Sequence, residues 1–290
     1  MSTKDLASKN IEDYNEVFAD IYNTLLFGRA ALVPDGLGAG ATESIYKTDG
    51  RDVNDQRRDI LKHYRSKANL LISSLGIENQ TSIDGTMPLR VMGYDYGTYR
   101  QQVIDGGKKI SPVITIVLNF SDRRWQMAKR LHEMLCIDPE WREYVQDYRI
   151  HVFGIAFLED CVIESFTSDF REIATFFKKR RLGEDSLASD RELSHPRAVL
   201  EFISAFTQDG RYLDGMQYLN DRMERGGVVT MCQVADALIS KGERQGILKG
   251  RLEGKVELLS EMNFPISDIS KRLDISEEEV RQALKQSRNL

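Results

Sequence analysis

RRDIL at residues 57–61 and GIENQT at residues 76–81 are the two segments that decide the fold of this chain. The first lies within residues 56–64, where apolar and charged positions mix, and the second overlaps the end of a mostly apolar run at residues 70–77. A short polar stretch separates them. This pattern is typical of two paired antiparallel strands. The sequence therefore predicts a β-hairpin.

Three oxygen-bearing side chains come together if this hairpin forms. Side chains alternate faces along a strand, so Glu78 and Gln80 point the same way and Asn79 points the other way. With Asp59 opposite that face, two carboxylates and an amide surround a volume suited to a hard divalent cation, Mg²⁺ or Mn²⁺. Such an ion orients a phosphodiester and activates a water. The pattern indicates hydrolysis of nucleic acid, whereas the alternative is that both acids are solvated charges at a sheet edge.

The order of several motifs along the chain resembles a known family. In chain order they are FAD at 18–20, RD at 58–59, ENQ at 78–80, MPLR at 87–90, YD at 94–95 and PVITIVL at 112–118. Over residues 10–180 this order resembles the PD-(D/E)XK nuclease-family putative transposases, close to the Rpn recombination-promoting nucleases.

The resemblance implies that Asp59 and Glu78 bind the metal and that Gln80 stands where these nucleases usually carry a lysine. A neutral amide positions a water or a phosphate oxygen but brings no positive charge. Similar Glu-x-Gln variants occur among these relatives. The resemblance thus implies a divalent-metal-dependent DNA endonuclease serving recombination or transposition. The alternative is a catalytically weak nuclease-fold protein that binds DNA or protein.

Two further acids are secondary site candidates. A helix is predicted over residues 11–27, on which Asp20 follows Glu16 by one turn, and the resemblance favours Asp20. Glu43 lies in a first strand predicted over residues 42–47. In a chain of which 29% is charged, either acid is otherwise an ordinary surface residue.

The remaining periodicities predict an α/β fold with a restriction-endonuclease-like core: helix, three-strand antiparallel meander, crossover helix, parallel strand. The crossover helix is expected at residues 87–104, with Pro88 at its start. A continuous apolar run at residues 112–120 predicts a buried parallel strand. Beyond the core the periodicity predicts a helix at 125–135, a strand at 149–158 and a helix at 166–180.

We predict three segments: a nuclease-like domain at 1–181, a linker with a helical segment at 182–240, and a tail at 241–290. In this mostly helical extension, glycines recur every four residues, at Gly242, Gly246, Gly250 and Gly254. Glycine costs about 1 kcal/mol in a helix interior. The repeat therefore indicates either tight helix pairing in a homo-oligomer or a weakly helical connector.

Residues 264–280 read as two short helices of helix-turn-helix type, with Ser276 as the N-cap of the second. Three glutamates follow that cap, and they would repel a DNA backbone from the position where a recognition helix reads bases. We interpret this segment as a packing or protein-interaction module, and DNA binding is the alternative.

DNA is the expected partner although the formal net charge is −5, because backbone binding depends on local basic surface. Candidate DNA contacts are Arg57 and Arg58, beside the proposed ligand, and Arg90 and Arg100, which lie on nearly one azimuth of the crossover helix. The run KKRR at residues 178–181 is interpreted as the solvated end of an amphipathic helix.

Location and thiol chemistry follow from simpler features. No apolar run approaches the roughly 20 residues that span a bilayer, and the N-terminus is unlike a signal peptide. We expect a cytoplasmic protein without a membrane partner. Cys136, Cys161 and Cys232 are widely spaced and read as reduced thiols, and zinc is not expected.

Overall fold

The computed structural model describes residues 11–40, 43–47, 53–65, 71–107, 109–184, 189–214, 216–225 and 227–287. The chain divides into two compact units, residues 1–232 and residues 233–290. The first unit covers residues 1–181, predicted as one domain, together with most of the residues predicted as a linker and helical segment.

A five-stranded mixed sheet forms the centre of the first unit. The described strands, five in this sheet and two in a separate pair, are β1 (Leu37–Ala39), β2 (Glu43–Lys47), β3 (Val53–Arg57), β4 (Ile60–Arg65), β5 (Leu71–Gln80), β6 (Val113–Asn119) and β7 (His151–Gly154). The sheet has the order β1-β4-β5-β6-β7, and β2 and β3 form a separate antiparallel pair. The β1/β4 and β4/β5 pairs are antiparallel, whereas β5/β6 and β6/β7 are parallel. With helices around the sheet, the predicted α/β class is confirmed.

The helices of this unit are α1 (Asn15–Tyr22, continued by a π-helical turn at Asn23–Phe27), α2 (Met87–Ile104), α3 (Asp160–Ser165), α4 (Phe170–Leu182), α5 (Pro196–Thr207), α6 (Arg211–Asp214) and α7 (Met216–Glu224). Helix α2 begins and ends at the predicted residues and has a proline in its first turn, where the missing N–H has no cost. It connects β5 to the parallel strand β6, as a crossover helix must.

The two faces of the sheet bury different side chains. On one face Val117 of β6 packs with Met87 and Val91 of α2. Since side chains alternate along a strand, Phe120 continues the opposite face. There its ring lies 5.0 Å from that of Phe177 and 4.9 Å from that of Phe206, measured between centroids. Burying apolar and aromatic surface on both faces stabilises the sheet.

The predicted hairpin is present as β4 and β5, which pair Ile60 with Ile77. Its first strand starts later than expected, because residues 56 and 57 belong to β3 and the chain turns inward at Arg58, which is 3% exposed. The strand predicted over residues 42–47 exists as β2. Its place as the first strand of the meander was wrong, since β1 pairs with β4 instead.

The helix predicted over residues 125–135 was wrong. This segment contains a 3₁₀ turn (Leu131–Glu133), and its backbone groups bond across to a distant loop. The N–H of Leu131 donates to the carbonyl of Tyr148 and that of Ile150 to the carbonyl of Lys129, both at 2.9 Å. Those partners replace the bonds that a helix would make within itself.

The second unit contains most of α8 (Met231–Glu261), followed by α9 (Ile266–Leu273) and α10 (Glu277–Ser287). A small core of Val256, Ile269, Val280 and Ala283 joins them. The predicted cap is confirmed: the N–H of Glu279 donates to Ser276 Oγ at 3.2 Å, and the N–H of Ser276 donates to Glu279 Oε2 at 2.7 Å. Around the four repeat glycines an added Cβ would meet no described atom within 4 Å. Homo-oligomerisation stays a prediction.

In the described part of the chain, every helix is too short or too polar to cross a bilayer.

Candidate active site

The structure brings Asp59 and Glu78 together at the carboxyl end of β5. The β4/β5 ladder pairs Ile60 with Ile77, and one further step in the antiparallel register places Asp59 across from Glu78. Asp59 Oδ2 accepts a hydrogen bond of 2.8 Å from the backbone N–H of Asn79. The hairpin thus fixes two acids beside each other, and Glu78 is only 2% exposed.

Gln80 shares the face of Glu78, as strand alternation predicts. Its Nε2 donates to Glu78 Oε1 at 3.1 Å. Asn79 points to the other face, where its Nδ2 donates to Glu12 Oε2 at 2.8 Å. The three consecutive side chains of ENQ therefore contact two different groups of residues.

Glu12 is a further acid beside Asn79 and Asp59 that was not among the residues predicted from the sequence. It is fully buried, and this burial raises the pKa of its carboxyl well above the usual value, with the nearby charge of Asp59 adding to the rise. Glu12 lies seven residues before Ala19, about two helical turns, on the stripe that includes buried residues of α1. In the sequence, an acidic residue at an otherwise apolar position of that stripe was the signal that could have identified Glu12.

Arg90 is held by two acids. Its Nη2 lies 2.5 Å from Glu78 Oε1, and its Nη1 lies 2.8 Å from Asp84 Oδ2. The Tyr94 hydroxyl accepts further bonds from the same guanidinium. The side chain is still 38% exposed. Arg90, predicted as a DNA contact, therefore lies at the carboxylate pair and remains partly open to solvent.

The pKa of Glu78 differs strongly from that of an exposed carboxyl group. Burial raises the pKa of Glu78 to about 8, and the negative charge of Asp59 adds to the rise, while Arg90 and Arg58 act in the opposite direction. A carboxyl group that is both desolvated and close to a second acid holds its proton more tightly.

This shift predicts a pH dependence of stability. Between the ordinary value of 4.5 and about 8, the folded state holds a proton on Glu78 that the unfolded state has released. The free energy of unfolding should therefore fall as pH rises through this window, by at most about 1.4 kcal/mol per pH unit. Urea unfolding in EDTA at several pH values measures it. Glu78→Gln should show a shallower slope, and identical slopes in both proteins would contradict the shift.

Buried oxygen atoms on both faces of the end of β5 are left without partners. Among the described residues, Glu78 Oε2, Glu12 Oε1 and Asn79 Oδ1 are buried and accept no hydrogen bond. Such atoms are costly unless something compensates them. Carboxylate and amide oxygens are the ligands that Mg²⁺ and Ca²⁺ prefer, so the donor set fits a hard cation. No trio of His, Cys, Asp or Glu side chains in the described chain is arranged to hold a metal, however.

Asp20 has a structural use. It is 7% exposed, and its two oxygens accept bonds of 2.7 to 3.0 Å from the N–H and hydroxyl groups of Thr167 and Ser168. These bonds tie α1 to the chain that enters α4. Glu43 pairs with Arg57 across β2 and β3; the side chains of both lie outside what the structure describes.

Arg58 lies in the core and not on the surface where a phosphate could reach it. Its Nη2 donates to Asp95 Oδ1 at 2.6 Å, and Asp95 is itself 4% exposed. Thr115 Oγ1 donates to the same oxygen at 2.5 Å, and the Tyr148 hydroxyl donates to Asp95 Oδ2. Burial thus removes Arg58 from the candidate DNA contacts. Arg100 is exposed on α2.

Comparison with known proteins bears on the central part of the chain. Residues 66–188 match the family model described as putative transposase, YhgA-like. This confirms the resemblance to putative transposases over a segment that includes Glu78, Gln80 and Arg90 but begins after Asp59. No curated protein and no solved structure matches the chain.

Proposed function

We propose that this chain, similar over residues 66–188 to the putative transposases, is a divalent-metal-dependent DNA endonuclease. The observation that carries the proposal is Glu78: a carboxyl group buried at a strand end, with its pKa raised to about 8, placed across from Asp59. Strongly shifted carboxyl groups beside a second acid are enriched at catalytic sites.

The order of elements supports a restriction-endonuclease-like core. Helix α1 precedes the antiparallel strands β1, β4 and β5, and α2 then crosses over to the parallel strand β6. This is the expected order of helix, meander, crossover helix and parallel strand. The two-stranded β2/β3 ribbon is an insertion between the first two strands of the meander.

Each residue at the site has a proposed role. Asp59 and Glu78 hold Mg²⁺ or Mn²⁺, with Glu12 as a further carboxylate nearby. The bound ion supplies Lewis-acid chemistry for phosphodiester hydrolysis. Gln80 positions a water or phosphate oxygen through its amide. Arg90, partly exposed and beside Glu78, supplies the positive charge that Gln80 lacks.

DNA is the proposed substrate, and recombination or transposition is the proposed context, because the matched family is described as transposases. The direct test is to incubate purified protein with supercoiled plasmid DNA and Mg²⁺ or Mn²⁺. Nicking that EDTA abolishes is the expected result, and intact plasmid at every metal concentration would contradict the proposal.

The second candidate function is a catalytically weak or inactive nuclease-fold protein that binds DNA or protein. The contact of 2.5 Å between Arg90 Nη2 and Glu78 Oε1 favours it, since an internal cation already occupies a carboxyl oxygen that a metal ion would need. Binding of DNA without metal-dependent cleavage would identify this alternative.

Gln80 provides a graded test of the site. Gln80→Ala should lower the cleavage rate by about 10²-fold, the size of effect seen when one positioning donor is lost. Gln80→Lys should remain active, because an ammonium group at this position reaches the same side of β5 and also donates to Glu78. Single-turnover kinetics measure both. If Gln80→Lys is folded and binds metal but is inactive, the proposed role of this position is wrong.

A further inference from the structure

A cavity of about 440 Å³ lies where β5, β6 and β7 end. Thr81 follows the last residue of β5, Phe120 and Ser121 follow β6, and Ala156 follows β7. The carboxyl ends of α4 and α5 complete its walls. Ligands of α/β proteins commonly bind outside the carboxyl ends of parallel strands. None of the acids proposed to bind metal is among its described lining residues.

Two arginines of α4 make one wall of this cavity. Arg180 is exposed, and Arg181 donates from its Nε to the carbonyl of Ala156 at 2.8 Å. The Arg181 guanidinium lies 4.6 Å from the centre of the Phe157 ring, and that of Arg124 lies 4.7 Å from the same ring. Arg181 is thus fixed at the cavity by a hydrogen bond and by a cation–π contact, and its positive charge can attract an anion there.

The basic run KKRR therefore has more than one role. Its first member, Lys178, forms an ion pair of 2.7 Å with Asp160, whereas Arg180 and Arg181 line the cavity. Asp122 is the single acid among the described lining residues. The local balance at this edge is positive although the whole chain is negative, and local charge is what steers an anionic ligand.

Three phenylalanines are among the residues that line the cavity. Phe206 is partly exposed, and its ring packs against the nearly buried rings of Phe120 and Phe177 at centroid distances of 4.9 and 6.1 Å. Phe202 stacks on one face of the Phe206 ring, with 4.2 Å between centroids, and an aromatic ring beside basic side chains is suited to contact an unpaired base. A volume of about 440 Å³ lies in the ordinary range for a bound small ligand.

We infer that this cavity binds one nucleotide of a single DNA strand, with its phosphate at Arg180 and Arg181 and its base towards Phe206. The backbone N–H of Phe120 donates to the carbonyl of Gln80 at 2.8 Å, so the cavity opens directly beyond the strand end that carries the proposed catalytic amide. The inference rests on the proposed function in taking DNA as the ligand, and it adds a subsite that the carboxylate cluster does not contain.

The test is the affinity for a labelled single-stranded oligonucleotide of about 16 nucleotides, measured by fluorescence anisotropy in EDTA so that cleavage plays no part. Arg180→Glu should weaken binding at low salt by about tenfold. It should also reduce the slope of log affinity against log salt concentration by about one, the contribution of one phosphate contact. Asp122→Asn, which removes the opposing charge, should strengthen binding. Both residues are exposed, so neither change disturbs the core.

The matched control is Arg142→Glu, the same charge reversal at an exposed arginine outside the cavity lining. It should change the affinity much less than Arg180→Glu. Equal weakening by both would mean that only overall charge matters and would overturn the subsite, as would an unchanged affinity in Arg180→Glu and Asp122→Asn.

Two further outcomes separate this inference from the proposed function. A wild-type protein that binds the strand through Arg180 but never cuts plasmid DNA would refute the endonuclease and support the cavity. Deoxynucleoside monophosphate, added as a competitor, should displace the strand only at high concentration. Displacement at concentrations near that of the protein would show a site for free nucleotides and overturn the DNA-strand assignment.

Discussion

Glu78→Gln and Asp59→Asn should each abolish metal-dependent cleavage of plasmid DNA, with a loss of at least about 10²-fold to 10³-fold. Each change removes a negative charge from the proposed metal ligands and keeps the shape of the side chain. Shape matters because Glu78 is buried and contacts Arg90 and Gln80, so alanine would also leave a hole and remove one of the two acids that hold the Arg90 guanidinium. The measurement is nicking of supercoiled plasmid with Mg²⁺ or Mn²⁺.

The control for this pair is Glu164→Gln, the same change of acid to amide at an exposed position of α3. It should cleave at the wild-type rate. Glu12→Gln extends the test to the acid found only in the structure and should also reduce cleavage. Wild-type nicking by both Glu78→Gln and Asp59→Asn would end the assignment of these acids as the catalytic pair.

Asp95→Ala should lower the free energy of unfolding by about 3–5 kcal/mol, the range for breaking a buried ion pair by removing one partner. Asp95 accepts hydrogen bonds from Arg58, Thr115 and Tyr148. Without it the buried Arg58 guanidinium loses the carboxylate that it is hydrogen-bonded to. The Arg58 side chain cannot move towards Gly76, because the two residues pack so closely that a Cβ on Gly76 would lie 2.7 Å from the Arg58 side chain.

Urea unfolding followed by circular dichroism measures this loss. Asp105→Ala, at the exposed end of the same helix, is the control and should change stability by no more than about 0.5 kcal/mol. The double variant Arg58→Met/Asp95→Leu should recover part of the loss, since an apolar pair leaves no buried charge. Equal stability of Asp95→Ala and the Asp105→Ala control would show that the ion pair contributes little.

Local patterns in the sequence determined several parts of this protein. Helix α2 was predicted to its end residues because the apolar spacing and Pro88 act within single turns. Strand β6 followed from its apolar run, and the shared face of Glu78 and Gln80 followed from alternation along a strand. The Ser276 N-cap was also predictable, because its partner Glu279 lies only three residues away. In each case the residues that decide the structure lie within a few positions of one another.

Only the tertiary structure decided which charges are used for what. Glu12 accepts a hydrogen bond from Asn79, which lies 67 positions away in the chain. Asp20 accepts hydrogen bonds from a loop 147 positions away. Arg58 was predicted as a surface residue beside the site. It points into the core because it pairs there with Asp95, which lies 37 positions later on α2. Burial and partner distance determine the cost and pKa of a charged group. Both are set by packing between distant segments, which local periodicity does not encode.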